Sequence, residues 1–259
     1  MPDATTLCKF RKTLNEKGIP KLLFDTMKAF LERHGKVMHG GTIVDATIIE
    51  APTSTKNTDK QRDPEMHQVK KGNEWHLGER LHIGVDAGTG YIHSMEVTPA
   101  NTSERDIVPF LIREDDEVVY GDAGYTGIAK RAEIQADSHL ARIDYRTNSR
   151  NRLHWKTHAP GFDWDRSMEY QKSRVRSKVE YVFLIIKRMF GYRKVRYRGL
   201  EKNRTHAFIL GTCANLFMLA QSGWRMGIEA PQVGHMGAWA SFLSYAIWIS
   251  GRSLGVALY

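Results

Sequence analysis

The chain has 259 residues, of which 41% are hydrophobic, so it is long enough to bury a full core and does not have a disordered composition. Its 38 Lys and Arg residues outnumber its 29 Asp and Glu residues, and the formal charge of +9 favours a polyanionic partner, either nucleic acid or an anionic membrane surface. Cys8 and Cys213 show no metal-ligand spacing, which argues against a disulfide framework or a zinc module. The N-terminal residues do not resemble a secretion signal, so a cytoplasmic protein is expected.

Two amphipathic helices are predicted near the N-terminus. Asp3 is placed to cap the first helix and Gly18 to end it, and Pro20 opens a second helix that ends near Gly35. The two helices would form a hairpin, either by ordinary packing or as a DNA-binding helix-turn-helix. Ordinary packing is the favoured interpretation, with DNA binding kept as an accessory role.

Short runs of β-branched residues begin at Gly41 and predict strands. In chain order they are TIVDATII, LHIGVDA, YIHSMEVT and EVVYGDA, with a hairpin at Asp86 between the second and third. The polar stretch over residues 53–76 is predicted to be one long loop. A helical segment over residues 128–139 and a long helix from about Tyr170 to Phe190 follow. This order of elements predicts an α/β core with a mixed sheet.

Two aspartates are candidates for a functional site. Asp45 lies in an apolar strand, where an ionised carboxylate is costly unless it is paired, hydrogen-bonded or bound to metal, although that face of the strand could equally be wet. Asp122 ends an apolar strand before a glycine-rich turn, where ligand sites gather in open α/β sheets, but capping the turn is the commoner role. Asp86 has the same local setting and is interpreted as a hairpin residue.

A glutamate on the long helix is the third candidate. The apolar residues of this helix form one stripe at helical spacing, Val175, Val179, Val182 and Ile186. Arg176, Glu180 and Lys187 fall on the other side, nearly in line, because four and seven residues are close to whole turns. By itself this pattern also fits a solvated helix face with an Arg–Glu pair. Between Arg166 and Arg204 cationic residues greatly outnumber acidic ones and alternate with tyrosines, which favours nucleic acid as the partner.

Five segments of the chain resemble the DDE transposases of bacterial insertion sequences, specifically the group named after insertion sequence five. In order they are DATTLCKFRKTLNEKG, GTIVDATIIEAP, RDPEMHQVKKGNEWHLGERLHIGVDAGTGYIHSMEVTPANTSE, VYGDAGYTG and KVEYVFLIIKRMFGYRKVRYRGLEKN. The resemblance spans about residues 3–223. It implies a ribonuclease-H-like mixed sheet flanked by helices, with a small N-terminal helical hairpin.

The resemblance also implies a catalytic and metal-binding set. Asp45 and Asp122 match the first two acidic positions of the family, and Glu180 matches the third, within a signature of the form Y-x2-R-x3-E-x6-K. Ser173 stands where the signature has Tyr, a position that is not a metal ligand. Three such carboxylates would hold two Mg²⁺ or Mn²⁺ ions.

The implied activity is metal-dependent cleavage at the ends of an insertion sequence, followed by transfer of the freed 3′ hydroxyl into target DNA. The residues expected to contact DNA are Arg176, Lys187, Arg188, Arg193, Lys194, Arg196, Arg198, Lys70 and Lys71. A homodimer acting on double-stranded DNA in the bacterial nucleoid is expected, with no membrane partner. The alternatives are a catalytically impaired remnant that only binds DNA and a nuclease on the same fold.

The two ends of the chain depart from the family pattern. Members normally carry a longer N-terminal helical region, so residues 1–39 are interpreted as the remnant of a truncated DNA-binding region and residues 40–223 as the catalytic domain. Residues 224–259 are apolar and unlike the family. A read-through tail is the favoured interpretation of these residues, against an added helix for dimerisation or membrane contact.

Overall fold

The computed structural model describes residues 3–37, 39–56, 58, 60–148 and 162–225, and a mixed sheet lies at the centre of this part of the chain. Its strands are β1 (Thr42–Glu50), β2 (His67–Lys71), β3 (Glu74–Asp86), β4 (Ile92–Pro99), β5 (Val118–Gly121) and β6 (Asp144–Thr147). The helices are α1 (Ala4–Glu16), α2 (Ile19–Arg33), α3 (Glu104–Leu111), α4 (Ala132–Ala136), α5 (Phe162–Leu184) and α6 (Leu200–Arg225). A π-helix over Ile185–Met189 continues α5.

The order of strands in the sheet is β2-β3-β1-β5-β6, and β4 pairs with β3. The pairs of β3 with β1, β2 and β4 are antiparallel, whereas β5 runs parallel to β1 and β6 runs parallel to β5. This mixed sheet flanked by helices is consistent with the ribonuclease-H-like fold expected from the sequence. The predicted strands around Asp45, Asp86 and Asp122 are all confirmed.

Helices cover both faces of the sheet because β1 is apolar on both sides. Ile43 and Ile49 belong to one buried cluster with residues of α5 and α6. Val44 belongs to a second cluster, which includes Val108 of α3. Successive side chains of a strand point to opposite faces, so Asp45 shares the α5 face with Ile43.

The predicted N-terminal hairpin is confirmed. Asp3 caps α1, its Oδ1 accepting a hydrogen bond from Thr6 N at 2.7 Å, and Gly18 joins α1 to α2 with a φ of 63°, which glycine adopts without strain. Phe24 and Leu31 of α2 are buried, whereas α1 buries none of its residues. The buried face of α2 therefore packs against α6, and this packing stabilises the helix.

Two predictions of local structure are wrong. The expected loop over residues 53–76 contains β2 and the start of β3, which form a hairpin through Gly72, a residue with a φ of 64°. The helix expected over residues 128–139 is broken at Arg131, where the backbone is extended, and again at Asp137. The Asp137 side chain accepts hydrogen bonds from the backbone of His139 and Leu140, so it starts a new turn instead of continuing the helix.

The apolar tail assigned to residues 224–259 lies outside the described residues, apart from the first two residues at the end of α6. Within the described ranges, no helix has the length and apolar character needed to cross a membrane.

A buried carboxyl group lies between β3 and the chain that follows α5. Glu79 is fully buried, and Tyr192 Oη donates a hydrogen bond to its Oε1 at 2.6 Å. The other oxygen, Oε2, has no hydrogen-bond partner among the described residues. Burial raises the pKa of Glu79 to about 7, against the smaller opposing effect of the Tyr192 hydrogen bond.

Replacing Glu79 with Gln should remove a pH dependence of stability. The folded state keeps a proton on Glu79 up to about pH 7, whereas the unfolded chain releases it near its model value of 4.5, so this contribution is lost as pH rises through that window. Glu79→Gln should match the wild type near pH 5 and exceed its free energy of unfolding by about 2–3 kcal/mol at pH 8. Urea denaturation at both pH values measures the difference, with Glu201→Gln as an exposed control. Parallel pH profiles for wild type and Glu79→Gln would contradict the expectation.

Candidate functional site

Asp45 and Asp122 lie side by side because β1 and β5 are parallel neighbours. Thr42 is opposite Val119, and Ile43 is opposite Tyr120. Continuing this register by two residues places Asp122, just beyond β5, level with Asp45 in β1. Residues that are 77 positions apart in sequence are thus brought to one point of the sheet.

Both carboxylates are held by backbone N–H groups. Asp45 Oδ1 accepts a hydrogen bond from Ala46 N at 2.8 Å. Asp122 caps a short 3-10 turn over Ala123–Tyr125, its Oδ1 accepting from Gly124 N at 2.7 Å. A Cβ on Gly124 would lie 2.8 Å from the same oxygen, so the turn needs glycine there. The turn-capping role weighed for Asp122 is confirmed, and it fixes the side chain beside β1.

The two aspartates place negative charges close together, and this affects the pKa of Asp45. The pKa of Asp45 is raised to about 6, chiefly by burial and to a smaller extent by the negative charge of Asp122. The hydrogen bond from Ala46 and the positive charge of Arg176 act in the opposite direction. Within the described part of the chain, neither aspartate has an ion-pair partner within 4.0 Å.

Glu180 lies on α5 but does not join the two aspartates. The apolar stripe of α5 is confirmed, since Val179, Val182 and Ile186 are buried. Glu180 is on the other side, 63% exposed, and its Oε1 is 3.1 Å from Arg176 Nη2. Among the residues that the structure describes, no three His, Cys, Asp or Glu side chains are arranged to hold a metal ion. The structure therefore brings together two of the three predicted ligands.

The aspartate pair fits a divalent cation by its chemistry. Carboxylate oxygens are hard ligands of the kind that Mg²⁺ and Mn²⁺ prefer. A half-buried carboxylate whose pKa is raised by burial and by a second carboxylate would be stabilised in its ionised form by a cation between them. Glu180 fits as a third ligand only if its ion pair with Arg176 opens.

A cationic cleft of about 560 Å³ adjoins Glu180. Its lining residues are Ile48, Glu50, Glu180, Phe183, Leu184, Lys187, Arg188 and Arg193. Lys187 Nζ donates a hydrogen bond to Ile48 O at 2.9 Å, and burial lowers the pKa of Lys187. This bond ties the π-helix to β1, so Lys187 is fixed at the wall of the cleft.

The other residues expected to contact DNA lie in three places. Arg196 and Arg198 line a second cleft of about 230 Å³ together with Arg62. The backbone of Lys194 forms an isolated parallel β-bridge with that of Glu50, at the end of β1. Lys70 and Lys71 are exposed on β2. The structure thus does not gather the nine cations into one site.

Glu104 is a neighbour of the aspartates that the sequence analysis did not single out. Its negative charge raises the pKa of Asp45, and that of Asp122 raises the pKa of Glu104, after the larger effect of burial. The available signal was Ser103, a good N-cap residue, followed by two acids in the first turn of a helix directly after a strand.

Comparison with protein families gives a match over this part of the chain. A family model described as "Transposase DDE domain" matches residues 37–216, which include all the strands of the sheet, Asp45, Asp122 and Glu180. No solved structure matches the chain. Because the match covers well over half of the 259 residues, the chain belongs to the family of transposase DDE domains.

Proposed function

We propose that this transposase cleaves DNA at the ends of an insertion sequence of the insertion-sequence-five group and transfers the freed 3′ hydroxyl into target DNA. Asp45, Asp122 and Glu180 are the proposed catalytic and metal-binding residues. The observation that carries the proposal is the pairing of Asp45 with Asp122 at the junction of β1 and β5, inside a transposase DDE domain. Residues 40–223 would form the catalytic domain, and α1 and α2 an accessory DNA-binding region.

Each carboxylate has a distinct part in this chemistry. Asp45 and Asp122 are already adjacent and would bind the cations first. Two Mg²⁺ or Mn²⁺ ions, when bound, would activate the nucleophile and stabilise the leaving oxygen of an in-line phosphoryl transfer. Glu180 would join after separating from Arg176, whose guanidinium suits a DNA phosphate as its new partner.

The clefts supply a path for the DNA backbone. Lys187, Arg188 and Arg193 lie on the wall that also carries Glu180, so a strand bound there passes the proposed site. Arg196 and Arg198 would contact phosphates farther along, and the β2–β3 hairpin would approach with Lys70 and Lys71. A homodimer holding two DNA ends is part of the proposal, since each end needs one such site.

Asp122→Asn should abolish DNA cleavage without unfolding the protein. Asn keeps the oxygen that caps the 3-10 turn but removes the charge that binds the cation, so we expect a loss of about three orders of magnitude in the nicking rate, or about 4 kcal/mol. The measurement is Mg²⁺- or Mn²⁺-dependent nicking and strand transfer on DNA that carries the element's ends.

Asp144→Asn is the matched control, because Asp144 is exposed at the opposite end of the neighbouring strand β6. Cleavage that survives Asp122→Asn would contradict the assignment of Asp122 to the catalytic site. Cleavage without joined products would indicate a nuclease on the same fold. DNA binding without cleavage by the wild type would indicate a remnant that only binds DNA.

Glu180→Gln should reduce DNA cleavage and leave thermal stability nearly unchanged. An exposed Arg–Glu pair contributes about 0–1 kcal/mol, so thermal unfolding should change little. Cleavage should fall about as far as for Asp122→Asn, since a third carboxylate would be missing. Arg204 with Glu201 is a pair whose glutamate is also exposed, on α6, and Glu201→Gln serves as the control. Wild-type cleavage by Glu180→Gln would remove Glu180 from the catalytic set.

The double variant Arg188→Gln/Arg193→Gln should weaken DNA binding and reduce its salt dependence. Each lost phosphate contact lowers the slope of log K against log salt by about 0.9, so two contacts lower it by about 1.8. Fluorescence anisotropy with a DNA duplex at several salt concentrations measures both quantities. Lys130→Gln/Arg142→Gln removes the same charge from exposed positions outside the clefts. An equal fall in slope for this control would contradict specific phosphate contacts by the cleft residues.

A further inference from the structure

Two contacts hold Glu104 near the turn that Asp122 caps, one made by the next residue and one by Glu104 itself. Arg105 Nε donates a hydrogen bond to Gly124 O at 2.8 Å, which ties the first turn of α3 to the turn that Asp122 caps. Glu104 Oε1 is 3.1 Å from Arg80 Nη1, and its side chain remains 30% exposed. The carboxylate is therefore anchored by an arginine and open to solvent at the same time.

A buried hydroxyl without a partner in the described part of the chain belongs to the turn that Asp122 caps. Tyr125 is 1% exposed, and its Oη has no hydrogen-bond partner among the described residues. Burial raises the pKa of Tyr125, and the charges of Glu104, Asp45 and Asp122, in that order, raise it further. A buried hydroxyl without a partner costs free energy, and such groups normally bind an ordered water or a ligand. The Tyr125 hydroxyl is therefore available to an ordered water beside the turn that Asp122 caps.

We propose that Glu104 is a positioning residue of the cation site, where it accepts hydrogen bonds from water bound to the divalent ion that Asp45 and Asp122 hold. This inference rests on the proposed function, which supplies the ion. Tyr125 Oη hydrogen-bonds to the same water.

Contact through water agrees with the geometry better than direct ligation does. The three side chains are not arranged to hold an ion directly, in keeping with the lack of any such group in the described ranges. Mg²⁺ releases its water reluctantly and usually keeps several water ligands, so a nearby carboxylate outside the inner shell has donors to accept from. Arg80, which is 11% exposed, pairs with Glu104 and so competes with the hydrated ion for this carboxylate.

The competing explanation is that Glu104 serves only its ion pair with Arg80. The two explanations predict different effects of two variants on the affinity for the cation. If the pair is purely structural, Glu104→Gln and Arg80→Gln both break it and affect the cation site in the same direction. If Glu104 acts on the hydrated ion, Glu104→Gln weakens ion binding, whereas Arg80→Gln strengthens it by removing a competing positive charge.

The experiment is Mn²⁺ binding to the full chain, measured as free Mn²⁺ by electron paramagnetic resonance in the absence of DNA. We expect Glu104→Gln to weaken binding about tenfold, as for other residues that orient metal ligands through hydrogen bonds. Arg80→Gln should tighten binding several-fold. Asp106→Asn is the matched control, because Asp106 lies on the same helix and pairs with Arg131 instead. Thermal unfolding of each variant verifies that it is folded.

A second readout is the Mn²⁺ concentration needed for half-maximal nicking. It should rise about tenfold in Glu104→Gln, with the rate recovering at saturating Mn²⁺. Unchanged Mn²⁺ affinity in Glu104→Gln, or weaker binding in Arg80→Gln, would overturn the proposal for Glu104. Asp122→Asn separates the two proposals, because Mn²⁺ binding that survives this variant contradicts the proposed cation site itself.

Discussion

The parallel pairing of β1 with β5 is the contact on which the site depends. It joins two strands that come from distant parts of the chain and sets Asp122 level with Asp45. Two carboxylates at such a point repel each other, and the raised pKa of Asp45 expresses chiefly the cost of burial and, to a smaller extent, that repulsion. The sheet tolerates this strain because apolar clusters on both faces of β1 hold the strands together. The carboxylate pair is thus maintained by packing that lies outside it.

A raised carboxyl pKa does not by itself distinguish this site from the rest of the core. Glu79 has a pKa raised to about 7, but it is fully buried and hydrogen-bonded to Tyr192. A neutral Glu79 can remain in the core with its hydrogen bond to Tyr192 and carries no charge that needs a cation. Asp45 differs because a second carboxylate shares its environment and because Ile48 of the same strand lines a cationic cleft. The neighbours, and not the pKa, separate a candidate site from a structural carboxyl group.

Much of the fold was predictable from sequence because local patterns and tertiary contacts agree there. The β-branched runs around Asp45 and Asp122 and the apolar stripe beside Glu180 each follow from the periodicity of one element. The β2–β3 hairpin was missed because β2 has mainly polar, exposed residues and is held by backbone pairing. Glu104 was missed for a related reason. Its proximity to Asp45 results from how α3 packs beside β1, which the short helix does not reveal in sequence.

The relation of Glu180 to Lys187 illustrates how tertiary contacts modify a helical pattern. In a regular α-helix residues seven apart lie nearly in line, which is why the sequence placed Arg176, Glu180 and Lys187 on one side. The π-helix begins five residues after Glu180, and its wider turn rotates Lys187 relative to the preceding helix. Lys187 is then fixed to Ile48 O of β1, while Glu180 stays exposed and paired with Arg176. Because an exposed pair of this kind is weak, Glu180 can change partners by side-chain rotation while the bond from Lys187 keeps the helix in place.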